Sequence, residues 1–421
     1  MDIRIFPPEE IIEAAIEMPL SKSVSNRALI INAMSDAPVE LTAAACDDSR
    51  VMEAALSGTA SGADTADIEG AGTAMRFLTA YFASKPGTAV TLTGNGRMCQ
   101  RPIGVLVDAL RSLGADISYA GCEGYPPLRI AGRRLAGGSV CLNGEVSSQY
   151  VSALMLAAPA MDNGLEITID GDAVSMPYVD LTASMMRDCG IEVARGGNKI
   201  RIEPGKYDAS GLHGDGDWSA ASYWYEIAAL SAGWIDLKGL SEDSAQGDRA
   251  VGKLFERLCI STEWEDGVAH LSPMPDQAPR LSLDMTDTPD LVPTVAVTCC
   301  MLNIPFRLSG LQTLRIKETD RLEALRTELL KLSAVTEIER GDTLVWEGAR
   351  CPVHELPSID TYGDHRMAMA FAPAAVFIPG IEIKDAKVVT KSYPGFWKDM
   401  ASAGFHIVDS EKYEQMKSEL E

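Results

Sequence analysis

Apolar residues along the chain fall at helical spacing, break at a short turn, and then alternate, and this sequence of events repeats. VLVDALRSLGADIS (105–118), VDLTASMMRDCGIEVA (179–194), VGKLFERLCISTEW (251–264), LEALRTELLKLSAVTEIE (322–339) and FWKDMASAGFHIV (396–408) each predict an amphipathic helix, a turn and a strand. SRVMEAALSGTASG (49–62) is a weaker copy. Gly58, Gly114, Gly190 and Gly404 stand in these turns, where a helix C-terminus favours left-handed backbone. Gly114 and Gly190 are 76 residues apart, beyond the roughly 20–50 residues of solenoid repeats. The copies therefore read as βα-rich modules packed into layers. Six of them over 421 residues predict an α/β protein of two domains with three modules each. Further alternating strands are expected at 90–93, 165–170, 199–203 and 382–385, a linker in the Gly-rich stretch 211–216, and a solvated helix in the acidic tail 409–421.

Composition narrows the function without naming it. An apolar fraction of 46% and a charged fraction of 23% are ordinary globular values. With 60 Asp plus Glu against 37 Lys plus Arg, the net charge of −23 speaks against nucleic acid or anionic membrane as a partner. It also speaks, at first sight, against small anionic substrates. Nine cysteines without a CxxC predict reduced thiols, and five histidines without ligand spacing predict no metal. No long uncharged apolar run and no cationic leader is present at the front, so a soluble, cytoplasmic protein is expected.

Several short segments carry chemistry. The helix dipole favours acids in the first turn, yet three helix starts hold arginine. They are SKSVSNRALI with Arg27 behind Lys22, GAGTAMRFL with Arg76, and YGDHRMAMAF with Arg366 after His365. The expected caps of the first two are Ser23 or Ser25, and Thr73; in the third Asp364 precedes His365 and Arg366 at the helix start. GEVSSQYVSALML should be capped by Ser147 or Ser148, with its helix beginning near Gln149, and GDGDWSAASYW by Asp217 or Ser219. A bound anion would meet both the free N–H groups and the arginine; a nearby carboxylate is the alternative. RIKETDRLEAL crowds Lys317, Glu318, Asp320 and Arg321 together, as a solvated helix start or as a proton-transferring Glu318 among phosphate-holding cations. Asp290 heads an almost uncharged apolar segment, as a helix cap or a desolvated general base. LTGNGRMCQRPIG places Arg97 and Arg101 in a Gly-containing turn suited to an anion, while Cys99 has no neighbouring His to activate it.

Taken in order, SKSVSNRAL, GTAMR, GRMCQRPI, SSQYVSAL, SMPYVD, KETDRL, DHRMAMA and TKSYPGF resemble the 5-enolpyruvylshikimate-3-phosphate synthase family of enolpyruvyl transferases across essentially the whole chain. That resemblance implies a two-domain inside-out α/β barrel. Each domain would hold three βαβαββ units, one spanning 20–214 on the shikimate-3-phosphate side and the other 1–19 with 215–421 on the phosphoenolpyruvate side. The active site would lie in the interdomain cleft.

Transfer of the carboxyvinyl group of phosphoenolpyruvate to the 5-hydroxyl of shikimate-3-phosphate is implied as the reaction, through a tetrahedral intermediate, on the route to chorismate and aromatic amino acids. It needs no metal, no cofactor and no partner but its small-molecule substrates, and the family expectation is a monomer. Lys22, Ser23, Arg27, Ser147, Ser148, Gln149, Ser175, Tyr178, Asp290 and Lys317 are implied at shikimate-3-phosphate. Lys22, Gly72, Arg97, Gln149, Arg321, Arg366 and Lys391 are implied at phosphoenolpyruvate. Asp290 is the implied proton acceptor, Glu318 handles the proton at the methylene carbon, and Lys22 reaches both ligands, with His365 as a helper.

The sequence departs from the family pattern at Leu20, Gly70 and Phe77, where Gly, Asn and Pro are usual, and at Thr313, where a side-chain amide is common. Gly70 and Phe77 border the phosphoenolpyruvate site and bear on affinity for it or for glyphosate. Two rivals remain: the transferase acting on UDP-N-acetylglucosamine, whose reactive Cys lies farther ahead of its Arg-Pro pair than Cys99 does here, and a binding protein without turnover. The stretches 20–29, 72–78, 94–103, 315–322, 362–370 and 389–394 hold ten Lys and Arg against three Asp and Glu, +7 locally, leaving −30 for the rest of the chain. An anion-binding region within an acidic protein is the expectation.

Overall fold

The structure is a computed structural model and describes residues 1–144, 147–171 and 174–420. Glu145 and Val146 of the GEVSSQY segment, and Glu421 of the acidic tail, lie outside the described residues. The chain divides into two compact units, a continuous one, Leu20–Gly214, and a discontinuous one, Met1–Pro19 with Asp215–Glu421. The boundary falls inside the Gly-rich stretch expected as a linker.

The first two strands, β1 (Ile3–Phe6) and β2 (Glu13–Glu17), belong to the discontinuous unit. The continuous unit opens with helices α1 (Lys22–Met34) and α2 (Asp47–Ala60). One module follows as β3 (Thr65–Asp67), α3 (Gly72–Ser84), β4 (Ala89–Thr93), α4 (Gly104–Ser112), β5 (Asp116–Tyr119) and β6 (Leu128–Ala131). A second runs through β7 (Gly138–Asn143), α5 (Ser148–Ala157), β8 (Leu165–Asp170), α6 (Met176–Asp188), β9 (Val193–Gly196) and β10 (Lys199–Ile202).

In the discontinuous unit, β2 is joined by α7 (Trp218–Ser231), β11 (Trp234–Lys238), α8 (Val251–Glu256), β12 (Leu258–Glu265) and β13 (Val268–Gln277). Next come β14 (Leu281–Asp284), α9 (Val292–Met301), β15 (Phe306–Ser309), α10 (Arg321–Lys331), β16 (Glu337–Glu339) and β17 (Thr343–Trp346). The last module is β18 (Ser358–Ile359), α11 (His365–Phe371), β19 (Ile381–Ile383), α12 (Phe396–Ser402) and β20 (His406–Asp409), completed by β1 and followed by α13 (Ser410–Leu420).

All five sheets share one topology. Two parallel strands, such as β14 beside β15, are linked by a buried helix, and two antiparallel strands finish the sheet; between the parallel pair β2 and β11 the chain also runs through all of Leu20–Gly214 before α7. Parallel neighbours need such a crossover, which is why each module spends a helix between its first two strands. The sixth copy differs: α1 and α2 are present, but among the described residues they have no four-stranded sheet of their own, and α2 runs on into β3 of the next. That accounts for its weaker signal in the sequence.

The repeating amphipathic helix is the second of each module. The first helices are buried on nearly all sides, α11 at every residue and α3 at all but Thr73, so they carry no polar stripe. α1, α3 and α5 pack on one another inside one unit, and α7, α9 and α11 inside the other. Helices therefore form the interior of each unit and the half-buried sheets its outside, as in the alternating burial of β8 and β10. All nine cysteines are free thiols. Among the described residues no helix is long and apolar enough to cross a membrane.

Candidate active site

The expected residues gather at helix N-termini, in two sets, one in each unit. In the continuous unit, Ser21 caps α1, its hydroxyl accepting from the Val24 amide at 3.4 Å. Neither Ser23 nor Ser25 is the cap; the Ser25 hydroxyl instead accepts from the Ala44 amide at 2.8 Å. Lys22 thus becomes the first helical residue, and its Nζ lies 3.1 Å from Asp48.

Arg27, one turn on and 3% exposed, donates to Thr182 Oγ1 (2.7 Å), the Ser23 carbonyl (2.8 Å), the Tyr178 carbonyl (3.0 Å) and Ser152 Oγ (3.4 Å). Its face lies against the Phe77 ring at 5.4 Å. All four acceptors are neutral, so burial lowers its pKa to about 10, and it stays charged at neutral pH. One guanidinium thereby ties Ser23 of α1 to Tyr178 of α6. Among the described residues no carboxylate pairs with it.

At α3 the expected cap, Thr73, lies inside the helix; Ala71 occupies the cap position and makes no side-chain cap. Thr73 Oγ1 accepts from Gln149 Nε2 at 3.2 Å instead, which joins the starts of α3 and α5. Ser147 caps α5 by accepting from the Gln149 amide at 3.3 Å, with Ser148 buried as the first helical residue. Ser175, also buried, precedes α6 with a left-handed φ of 56°, an uncommon conformation for serine.

The loop before α4 places its two arginines differently. Arg97 is exposed, whereas Arg101 is buried and lies directly over Gly72. A Cβ at Gly72 would stand 2.6 Å from Arg101 Nη1, so only glycine admits this approach. Arg76 braces the loop from α3, donating to the Gly72 carbonyl at 3.3 Å and the Pro102 carbonyl at 2.9 Å. Cys99 donates through Sγ to the Gly94 carbonyl at 3.4 Å.

In the discontinuous unit, Asp290 sits in a 3-10 turn before α9 and makes no cap. Its carboxylate accepts from Arg366 Nη2 at 2.7 Å and Arg321 Nη1 at 3.1 Å, with Lys317 Nζ at 3.5 Å. Arg321, 1% exposed, also donates to Asp364 Oδ2 at 2.8 Å and Glu318 Oε2 at 2.9 Å. Burial alone would lower its pKa, but Asp364, Glu318 and Asp290 together outweigh that and raise it. The carboxylate alternative therefore holds for Arg366, the reverse of Arg27. Asp320 caps α10 and Asp364 caps α11, the latter accepting from the Arg366 amide at 2.9 Å. Lys391 Nζ donates to the Gly363 carbonyl at 2.7 Å. His365 is buried, its Nδ1 3.9 Å from Asp364.

Two neighbours, Tyr223 and Asp248, gave no signal in the sequence. Tyr223 of α7 accepts from Arg366 Nη1 at 3.5 Å, and burial pushes its phenol up to about 12. Asp217 caps α7, accepting from the Ala220 amide at 2.9 Å, which leaves the Ser219 hydroxyl to bond Asp248. Burial, then the charge of Asp290, raises the Asp248 carboxyl to about 6.

Comparison with known proteins follows the same lines. The profile of the family described as EPSP synthase (3-phosphoshikimate 1-carboxyvinyltransferase) matches residues 47–400. The chain is 49% identical over 401 residues to the 3-phosphoshikimate 1-carboxyvinyltransferase of Bacteroides fragilis, covering 94% of this chain and 96% of that protein. To the enzyme of that name in Methanospirillum hungatei it is 37% identical over 415 residues, covering 91% and 94%. The fold is similar to that of EPSP synthase from Acinetobacter baumannii, with a TM-score of 0.74 at 20% identity over 97% of this chain and 100% of that one.

Proposed function

The chain belongs to the EPSP synthase family, and from that premise we propose that it transfers the enolpyruvyl group of phosphoenolpyruvate to the 5-hydroxyl of shikimate-3-phosphate, releasing phosphate, in the shikimate pathway to aromatic amino acids. The observation that carries the reading is Arg321, a buried guanidinium hydrogen-bonded to both Asp290 and Glu318. It fixes two carboxylates suited to moving two different protons against one cation.

In this reading Glu318 protonates the methylene carbon of phosphoenolpyruvate and C2 becomes electron-poor. The 5-hydroxyl oxygen bonds to C2 while Asp290 takes its proton. In the tetrahedral ketal phosphate the bond from C2 to the phosphate oxygen then breaks. The methyl carbon returns its proton to Glu318, the enol ether forms, and the proton held by Asp290 leaves with phosphate. Arg321, Arg366, Lys391 and Lys22 offset the negative charge of the phosphoenolpyruvate groups. Because carboxylates and carbonyls already orient these cations, binding an anion costs them little side-chain freedom.

We assign the Arg97 role to Arg101, whose buried guanidinium lies against Gly72. Arg27, Ser23, Ser147, Ser148, Gln149, Ser175 and Tyr178 serve shikimate-3-phosphate, with Asp290 and Lys317 at its ring hydroxyls. The same reading makes the protein a monomeric cytoplasmic enzyme with no nucleic-acid or membrane partner.

The test is phosphate release from phosphoenolpyruvate with shikimate-3-phosphate as acceptor. Release only with UDP-N-acetylglucosamine would reassign the chain to the related transferase, and binding without release would make it a non-catalytic protein. Asp290→Asn and Glu318→Gln should each lower kcat by about 10²–10⁴, the usual worth of general acid–base catalysis. Affinity for shikimate-3-phosphate should shift far less, and unchanged turnover in either variant would remove that residue from its role.

A further inference from the structure

Residues 361–364 form a tight turn in which the Asp364 amide donates to the Thr361 carbonyl at 2.8 Å. Both central residues are left-handed, Tyr362 at φ 55° and Gly363 at φ 66°, the pattern of a type I′ turn. Asn, Asp and Gly dominate these two positions because they tolerate positive φ, and a bulky aromatic at the first is a strained exception. Such strain persists where the surroundings over-determine the backbone.

The surroundings here are specific. The Tyr362 hydroxyl donates to Glu328 Oε1 at 2.7 Å, and Glu328 is fully buried on α10. Glu328 Oε2 accepts from the Asp360 amide at 3.0 Å and pairs with Lys331 Nζ at 2.7 Å. Arg321, two turns earlier on the same helix, holds the far end of the turn through Asp364. Most of what this turn touches belongs to the phosphoenolpyruvate side of the proposed site. The Gly363 carbonyl takes Lys391, Asp364 takes Arg321, and Asp364 also caps the helix that begins His365-Arg366. Tyr362 is 44% exposed, so its ring adds little packing and its hydroxyl is the feature that engages the protein.

We infer that Tyr362 and Glu328 are positioning residues for phosphoenolpyruvate: their hydrogen bond holds the left-handed turn that aims Lys391, Arg321 and Arg366. This rests on the functional reading above. Steady-state kinetics with each substrate varied in turn tests it on wild type, Tyr362→Phe and Tyr362→Asn, alongside thermal melting. Tyr362→Phe should raise KM for phosphoenolpyruvate about tenfold, the loss of one hydrogen bond to a charged group. KM for shikimate-3-phosphate should stay within about twofold, since only one substrate's cations are misaimed. Tyr362→Asn should recover most of the loss, because Asn adopts left-handed backbone unaided.

A Phe variant with wild-type KM for phosphoenolpyruvate overturns the inference, and so does a Phe variant that only melts earlier. An Asn variant as impaired as Phe also overturns it, since the phenol itself and not the turn would then matter. An inactive wild type sinks the functional reading and the positioning role together, whereas an active wild type with an unmoved Phe variant sinks the positioning role alone.

Discussion

Glu226 offers a test of how far the interior of the discontinuous unit is determined by burial. It lies in the middle of α7, fully buried, and neither of its carboxyl oxygens has a hydrogen-bond partner. Burial pushes its pKa well above the ordinary 4.5. The Thr298 hydroxyl of α9 offsets this incompletely, since it donates to the Thr294 carbonyl at 2.7 Å.

The folded protein therefore keeps a proton that the unfolded chain releases above its own pKa. Stability contributed by this group is present below about pH 4.5 and is lost as pH rises through the interval up to the raised folded value. Within that interval the slope is about 1.4 kcal/mol per pH unit for one proton. Glu226→Gln keeps shape and polarity but cannot ionise. Its stability relative to wild type should therefore grow between pH 5.5 and 6.5, by at most about 1.4 kcal/mol.

The measurement is urea unfolding followed by tryptophan fluorescence at both pH values. All six tryptophans (Trp218, Trp224, Trp234, Trp264, Trp346 and Trp397) lie in the discontinuous unit, so the signal reports its unfolding and not that of Leu20–Gly214. Asp248, raised to about 6, titrates in the same window, and the difference between the two proteins cancels it. A difference that stays flat across the pH unit would refute the argument that Glu226 is held neutral by burial.

Two further outcomes concern the loop over α3. Arg101→Gln should raise KM for phosphoenolpyruvate by about 10²-fold, as removing one partner of a buried charge-assisted contact does, while Arg97→Gln should move it less than about threefold. Equal effects would return the role to Arg97. Gly72→Ala brings a methyl to within 2.6 Å of Arg101 Nη1, and because that is the mobile end of a side chain the fold should survive. KM for phosphoenolpyruvate should then rise by about tenfold through the displaced guanidinium, with an unchanged KM showing that Arg101 is not needed where it lies.

What could be read from the sequence follows from where each helix sits. α4, α6, α8, α10 and α12 keep one face toward the outer sheets or water, so their period is visible. α3 and α11 are buried all round and show none, yet their N-terminal ends carry the short motifs. Caps were legible as one of two candidates at Asp217 and Ser147, in each case the earlier of the two. They were not at α1, where Ser21, Ser23 and Ser25 compete and the earliest wins. Arg97 and Arg101 are equal candidates in sequence, and only the 3-10 turn Met98–Gln100 between them sends one outward and the other inward. Asp248, Tyr223 and the Glu328–Tyr362 bond each join positions 29 or more residues apart, and no local pattern marks them.

The charge count shows the same limit in another form. Segments with ten cations and three acids suggested a positive region, but the fold adds carboxylates from outside those segments: Asp48 against Lys22, and Asp290 against Lys317, Arg321 and Arg366. In the discontinuous unit the cations are thus largely neutralised, and by the very carboxylates that the proposed reaction needs for proton transfer. Arg27 is built the other way, held among the described residues by hydroxyls and carbonyls, at a depressed pKa of about 10. A dianionic phosphate gains most from a buried cation of that second kind, because no internal carboxylate must be displaced. A proton-transfer site gains from the first, because each cation keeps its carboxylate oriented. The two kinds of arginine divide the proposed reaction between tight anion binding and proton movement, a division that net charge cannot reveal and hydrogen-bond partners can.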